Sequence, residues 1–191
     1  MRKFLFALAA TAAFVGSAAQ AQTATYAIDP SHTFATFEIS HFGASVNRAR
    51  FDKKEGTVQL DKTAKTGKVE LTLQIDSVNS GVAPFNKHLQ SAEIFDAEKF
   101  PTAKFVGDKF TFDGDKVVSV SGDLTIKGKT QPVTFKANQF ACYESPMLKR
   151  EVCGGDFETT IDRTAFGVDY GVAYGFPKSV RIVAQIEAVK Q

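Results

Sequence analysis

Thr33, Ala35, Phe37, Ile39 and His41 occupy every second position of the segment Ser31–His41, and His32, Phe34, Thr36, Glu38 and Ser40 fill the places between them. A strand sends alternate side chains to opposite faces, so the first set forms a more apolar surface and the second a more polar one. The same period returns in Val46–Phe51, Gly56–Asp61, Ala103–Phe112, Val117–Lys127, Val133–Phe140, Phe157–Arg163 and Val180–Val189. It is clearest over Lys68–Asp76, where Val69, Leu71, Leu73 and Ile75 alternate with Lys68, Glu70, Thr72 and Gln74. Asp113-Gly114, Lys127-Gly128-Lys129 and Gly154-Gly155 punctuate the runs as turns that join neighbouring antiparallel strands. About eight such strands in one domain predict an all-β sandwich or barrel, closure being one way to remove exposed edges.

One segment departs from the period of two. Pro84-Phe-Asn-Lys-His-Leu-Gln-Ser-Ala92 places Phe85, His88, Leu89 and Ala92 at helical spacing, with Pro84 suited to a first turn. This predicts one short helix whose apolar side rests on the sheet and carries His88 with it. Phe95–Pro101 reads as a turn leading into the next strand.

The N-terminus has the layout of a secretory leader: basic Met1-Arg2-Lys3, an apolar run from Phe4 to Val15, and small residues at Ala19-Gln20-Ala21. Residues 1–21 are expected to be a signal peptide cleaved after Ala21, leaving 22–191 as a single domain in the periplasm. The apolar run is short for a membrane span. The leader also changes the charge balance. The chain has 23 Lys+Arg against 21 Asp+Glu, and Arg2 and Lys3 leave with the leader, which makes the two equal. No basic stripe of the kind nucleic acid requires remains.

Cys142 and Cys153 are the only cysteines, and in an oxidising compartment such a pair is expected to form a disulfide. Their spacing fits neither a CxxC redox motif nor a four-ligand metal set. His32 and His41 lie on opposite faces of one strand, and no HExxH is present. No metal site is therefore expected. There is also no GxSxG and no Gly-rich phosphate loop after a strand, so nothing local points to an enzyme.

Four blocks together resemble the YceI-like family of exported lipid- and polyisoprenoid-binding proteins. They are Asp29-Pro-Ser-His-Thr with His41-Phe-Gly, the stretch from His88 to Phe105, the stretch from Gly122 to Val133, and Ile161-Asp-Arg-Thr-Ala-Phe-Gly167. Thr33 stands where the family usually shows Ser, and the Cys142–Cys153 segment occurs in only part of it. The resemblance implies a lipocalin-like antiparallel β-barrel whose lumen holds a long isoprenoid or other apolar chain, with no catalysis and no obligatory cofactor.

Parity assigns Phe37, Ile39, Leu71, Leu73, Phe105 and Ile182 to the lumen, and the helix contributes Phe85, Leu89 and His88. His41, at the end of an apolar face, and Arg163, with the inward parity of Phe157 and Ile161, are candidates for a polar head group. An inward Arg163 needs a partner; Asp29, Asp162, Glu187 and a ligand phosphate are the options, and an internal salt bridge is the preferred one. The outward parity of Phe34 and Phe140 offers a patch for a homodimer. A barrel of this size can also be completely filled by side chains, so a ligand-free structural or stress-response protein is the alternative. An outer-membrane barrel, a further alternative, is opposed by the absence of Trp and by the helix.

Overall fold

The computed structural model describes residues 23–191; the leader expected over residues 1–21 lies outside them. Eleven strand segments and one α-helix follow in order: β1 (Ala24–Ile28), β2 (Phe34–His41), β3 (Ser45–Phe51), β4 (Lys54–Asp61), β5 (Thr66–Gln74), β6 (Val78–Asn79), α1 (Ala83–Gln90), β7 (Thr102–Asp113), β8 (Lys116–Ile126), β9 (Lys129–Glu144), β10 (Glu151–Asp162) and β11 (Ser179–Lys190). They form eight staves, because the first six segments are three long strands, each interrupted once. β1 and β2 lie one after the other along β11, β4 and β3 pair with them in turn, and β5 and β6 pair with β4 and β3. From β5 onward each stave pairs antiparallel with the next, through β7, β8, β9 and β10 to β11. Tyr26 opposite Lys190 and Ile28 opposite Ala188 close the ring. The fold is an all-β closed antiparallel barrel of eight strands with one short helix.

The break between β1 and β2 is built, not frayed. The Asp29 carboxylate accepts hydrogen bonds from Ser31 N (2.8 Å), Ser31 Oγ (2.6 Å) and His32 Nδ1 (2.7 Å). Thr33, fully buried, accepts from Glu187 N and donates to Glu187 O, both at 3.0 Å. Glu187 O also accepts from Asp29 N at 2.9 Å, so the hydroxyl's distinctive service is to the Glu187 N–H, which the kink leaves without a ladder partner. Serine and threonine both supply that hydroxyl, so Thr33 in place of Ser keeps the chemistry.

The inward faces are those that alternation predicts, except where bulges change the count: at Asp108 in β7 and Val118 in β8, which bring Phe110 and Val117 inward, and in β9. Gln139 pairs with Asp156 but Ala137 with Phe157, so Asn138 is an extra residue in β9. That bulge reverses the parity of the following residues. Phe140 accordingly packs against the inner core, not on the outer surface. Phe34 does lie outside, but Arg50 (5.0 Å) and Lys54 (4.4 Å) cover its ring. The apolar dimer patch expected from these two residues therefore does not exist. The rest of the outer wall carries cross-strand ion pairs, with Glu38 meeting Arg48 and Arg181 at 2.8 Å each and Arg181 also meeting Glu158.

The turns divide between two ends. The β2–β3, β8–β9 and β10–β11 connections and α1 gather at one end. Both ends of the described chain and the β4–β5, β7–β8 and β9–β10 turns gather at the other. At the second end Tyr26, Leu60, Val117, Cys153 and Ala188 pack into a buried cluster that floors the barrel. Cys142 and Cys153 face each other in register across β9 and β10 and are joined by a disulfide.

Candidate functional site

A cavity of about 470 Å³ occupies the barrel between these ends. Its wall is apolar almost throughout, because one face of every stave alternates inward. Ala35 and Ala184, in register on neighbouring strands, are both buried and both line it. Small side chains there leave room that Phe37, Phe105, Phe135 and Phe157 would otherwise fill. Phe105 and Phe135 meet edge-on at 5.0 Å, and Phe95 packs edge-on against both Phe37 (5.8 Å) and Phe51 (5.9 Å).

The candidate residues come together on this one space. Phe37, Ile39 and His41 reach it from β2, Leu71 and Leu73 from β5, Phe105 from β7 and Ile182 from β11, while Phe85, His88 and Leu89 enter from α1 and Arg163 from the turn after β10. The helix owes its position to side-chain clamps: Ser80 N and Oγ donate to Asn86 Oδ1 at 2.7 and 2.6 Å, and Gln90 Nε2 donates to Asp76 O at 2.9 Å. Pro84 sits in its first turn, and Leu89 is buried beneath it. β6 pairs only with β3, because β7 begins at Thr102 opposite Gln74 of β5 and does not reach it, and α1 follows β6 at that edge.

The mouth beside α1 is aromatic with a few polar groups. His41, Phe42 and Phe176 form a cluster with ring centroids 4.6 to 5.3 Å apart. His88 meets the edge of Tyr170 at 4.8 Å. The two histidines therefore have different ring partners.

Arg163 differs from expectation. Among the described residues it makes no ion pair; its guanidinium donates to three backbone carbonyls, from Nε to Pro177 O (2.9 Å) and from Nη1 to Val168 O (2.9 Å) and Tyr170 O (2.8 Å). Asp162, the nearest sequence candidate, is turned to Thr164, accepting from its N (2.8 Å) and Oγ1 (2.6 Å). That cap and Gly167, at a left-handed φ of 73°, close a 3-10 turn over Arg163–Phe166. Only a residue without a Cβ adopts such a φ freely. The block Ile161–Gly167 is thus a device that buries Phe166 and turns Arg163 inward. Burial lowers the Arg163 pKa, against the opposing charges of Asp169 and Asp162, yet a guanidinium keeps its proton.

His32 is exposed and bound to Asp29 away from the lumen. Among the described residues the group spaced to hold a cation is Cys142, Glu151 and Cys153. Both sulfurs are in the disulfide, and Glu151 accepts from Tyr26 Oη (2.5 Å) and Lys62 Nζ (2.6 Å). Burial, then the bond to Glu151, pushes the Tyr26 phenol up, while Lys62 and Tyr26 hold the Glu151 carboxyl down. This cluster seals the floor.

Sequence reading passed over Ile94, Phe95, Tyr170 and Phe176, which also line the cavity. They lie in non-repeating segments. Their only signal is aromatic density among glycines and turns.

A family model, the YceI-like domain, matches residues 26–188. The chain belongs to the YceI-like family. A UPF0312 protein of Pseudomonas putida is 34% identical over 194 residues, covering 100% of both chains. Another from Pseudomonas syringae pv. tomato is 37% identical over 140 residues, 72% of each. Among solved structures, Burkholderia cenocepacia BcnA superposes with a TM-score of 0.70 at 24% identity, covering 84% of this chain and 99% of that one. A polyisoprenoid binding domain from Saccharophagus degradans superposes at 0.61 and 15% identity, over 89% and 100%. The two solved structures share the barrel described above.

Proposed function

We propose that this YceI-like protein holds one long apolar lipid, an isoprenoid or a chain of similar character, in the barrel lumen without chemically changing it. Quinones, prenyl phosphates, fatty acids and fatty amides are the candidate classes. The observation that carries the reading is the cavity of about 470 Å³. It lies within the range of about 300–1,000 Å³ usual for small-molecule sites, and its wall is apolar with few polar groups. Burying ten methylene equivalents there contributes about 8 kcal/mol of gross transfer free energy. That corresponds to about micromolar affinity before ordering costs, so apolar contact alone suffices to retain the chain. The polyisoprenoid-binding description of the Saccharophagus domain agrees with this reading.

The protein works in the periplasm on this reading, delivered by the leader over residues 1–21. A bilayer-spanning role is disfavoured by the outer wall. Arg48, Arg50 and Arg181 project from it, and a cation facing lipid at mid-membrane costs about 2–4 kcal/mol. Native mass spectrometry of protein purified without detergent tests the function. Added mass that organic extraction removes, and that an isoprenoid restores, is the expected result. A protein at its bare sequence mass that takes up no lipid refutes it and leaves a filled structural barrel. Release by osmotic shock, with a mature N-terminus at Gln22, tests the location.

A further inference from the structure

Of the side chains that line the lumen, Arg163 is both charged and buried, with 7% of its surface exposed. No carboxylate among the described residues comes within ion-pair distance of it. Nε and Nη1 are committed to Pro177, Val168 and Tyr170, which fixes the plane of the guanidinium. Nη2 is then left buried with no hydrogen-bond partner among the described residues. On the other side of Tyr170, whose carbonyl binds Arg163 and whose ring packs on His88, His88 Nε2 is also buried and without a hydrogen bond. Glu93 Oε2 approaches that nitrogen at 3.2 Å but outside hydrogen-bond geometry. Buried donors are satisfied in nearly all folded proteins, and an unpaired buried charge is strongly unfavourable. Arg163 Nη2, with the His88 and Glu93 pair beyond Tyr170, forms a polar pole at one end of a largely apolar cavity.

We infer that Arg163 Nη2, flanked by His88, seats the oxyanion head group of the bound lipid, a phosphate or a carboxylate. The inference rests on the lumen being a lipid site and adds an orientation and a ligand class. The head lies at the mouth beside α1, and the tail runs toward the floor at Tyr26 and Cys153. A guanidinium edge offers oriented donors that strengthen when the acceptor is ionised. Van der Waals contact with the rest of the wall has no such preference, so discrimination between heads resides at this pole.

Calorimetric titration of the delipidated mature protein with geranylgeranyl phosphate, geranylgeraniol and inorganic phosphate tests it. The phosphate ester is expected to bind at least tenfold more tightly than the alcohol, and inorganic phosphate far more weakly than either. Arg163→Lys keeps the charge but loses the fork, and is expected to shrink the ester's advantage more than it weakens the alcohol. Because Arg163 also fastens the 168–177 segment, a second readout uses the unaltered protein. In nitrogen-detected NMR the Arg163 Nη2 resonance is expected to shift on adding the ester and not on adding the alcohol. Equal affinity for the two lipids, or an unmoved Nη2 resonance, overturns the head-group seat while leaving the lumen as a lipid site. Binding of neither lipid overturns both. Inorganic phosphate binding as tightly as the ester overturns the lipid head and identifies a free-anion site.

Discussion

Reducing the Cys142–Cys153 bond should destabilise the barrel by about 3 kcal/mol and leave the lumen functional. The two residues are separated by 11 positions. In the chain-entropy model a cross-link of that span removes about 9 cal/mol/K of disorder from the unfolded chain, about 3 kcal/mol at 25 °C. The native hairpin needs little rearrangement when the bond is cut, because Cys142 and Cys153 already oppose each other in a ladder that runs from Glu144–Glu151 to Lys136–Glu158. The effect therefore falls mainly on the unfolded state. The assay is urea denaturation of the oxidised protein and of the same protein held in reductant, followed by intrinsic tyrosine fluorescence and circular dichroism. With a slope of about 2 kcal/mol/M the midpoint should fall by about 1.5 M. On heating, the transition should drop by about 6–12 °C. Lipid affinity should change less than about threefold, since the disulfide lies at the floor and α1 and Arg163 at the opposite end. Coincident oxidised and reduced midpoints would refute the entropic argument. A large loss of affinity with unchanged stability would make the pair a redox switch.

Three further outcomes follow from the geometry. Thr33→Val removes the hydroxyl that serves both backbone groups of Glu187, at nearly constant volume, and should cost about 1–3 kcal/mol in urea melts; a cost near zero would show that the kink needs no stitch. His32 is raised from its usual value chiefly by its hydrogen bond to Asp29, which is itself held at about 2 by His32 and Ser31 against burial. For the raised histidine the stabilisation is present in full below its unfolded value and fades as pH rises through the folded one; for the depressed carboxyl it is present above about 3.9 and fades as pH falls toward about 2. The pair therefore acts between about pH 4 and the folded His32 value, and proton NMR should show His32 titrating above about 6.5 in the wild type and returning to it in Asp29→Asn. Phe37→Glu places a carboxylate in the lumen beside Phe51 and Phe95 and should abolish isoprenoid uptake by a variant that still melts cooperatively; undiminished uptake would exclude Phe37 from the site.

Alternation made most of the wall readable before any coordinates. Leu71, Leu73, Phe105 and Ile182 needed only a period of two to be placed inside. β1 escaped because Ala24–Ile28 is five residues long, too short for a period to develop in it. Phe140 was misplaced because a bulge at Asn138 changes the count without changing the composition. The partners of Arg163 were unreadable for a different reason. They are main-chain carbonyls of Val168, Tyr170 and Pro177, and every residue type carries a carbonyl. Family resemblance singled out the Ile161–Gly167 block, but only the capped turn explains why Asp162 serves Thr164 and leaves Arg163 with no carboxylate in contact among the described residues.

The seam that joins β1 to β11 sets an order of events. Tyr26 meets Lys190, so the first described strand and the last are neighbours in space while the rest of the domain lies between them in sequence. Loop-closure entropy makes such long-range pairings late and slow. A partly synthesised or partly translocated chain can form hairpins from β7 to β10, but it encloses no volume, since the ring is open until residues 179–190 arrive. On the proposed lipid-binding role, cargo capture is therefore a terminal step of folding. On that role, the compartment into which the final strand emerges is the one whose lipids the lumen would first sample.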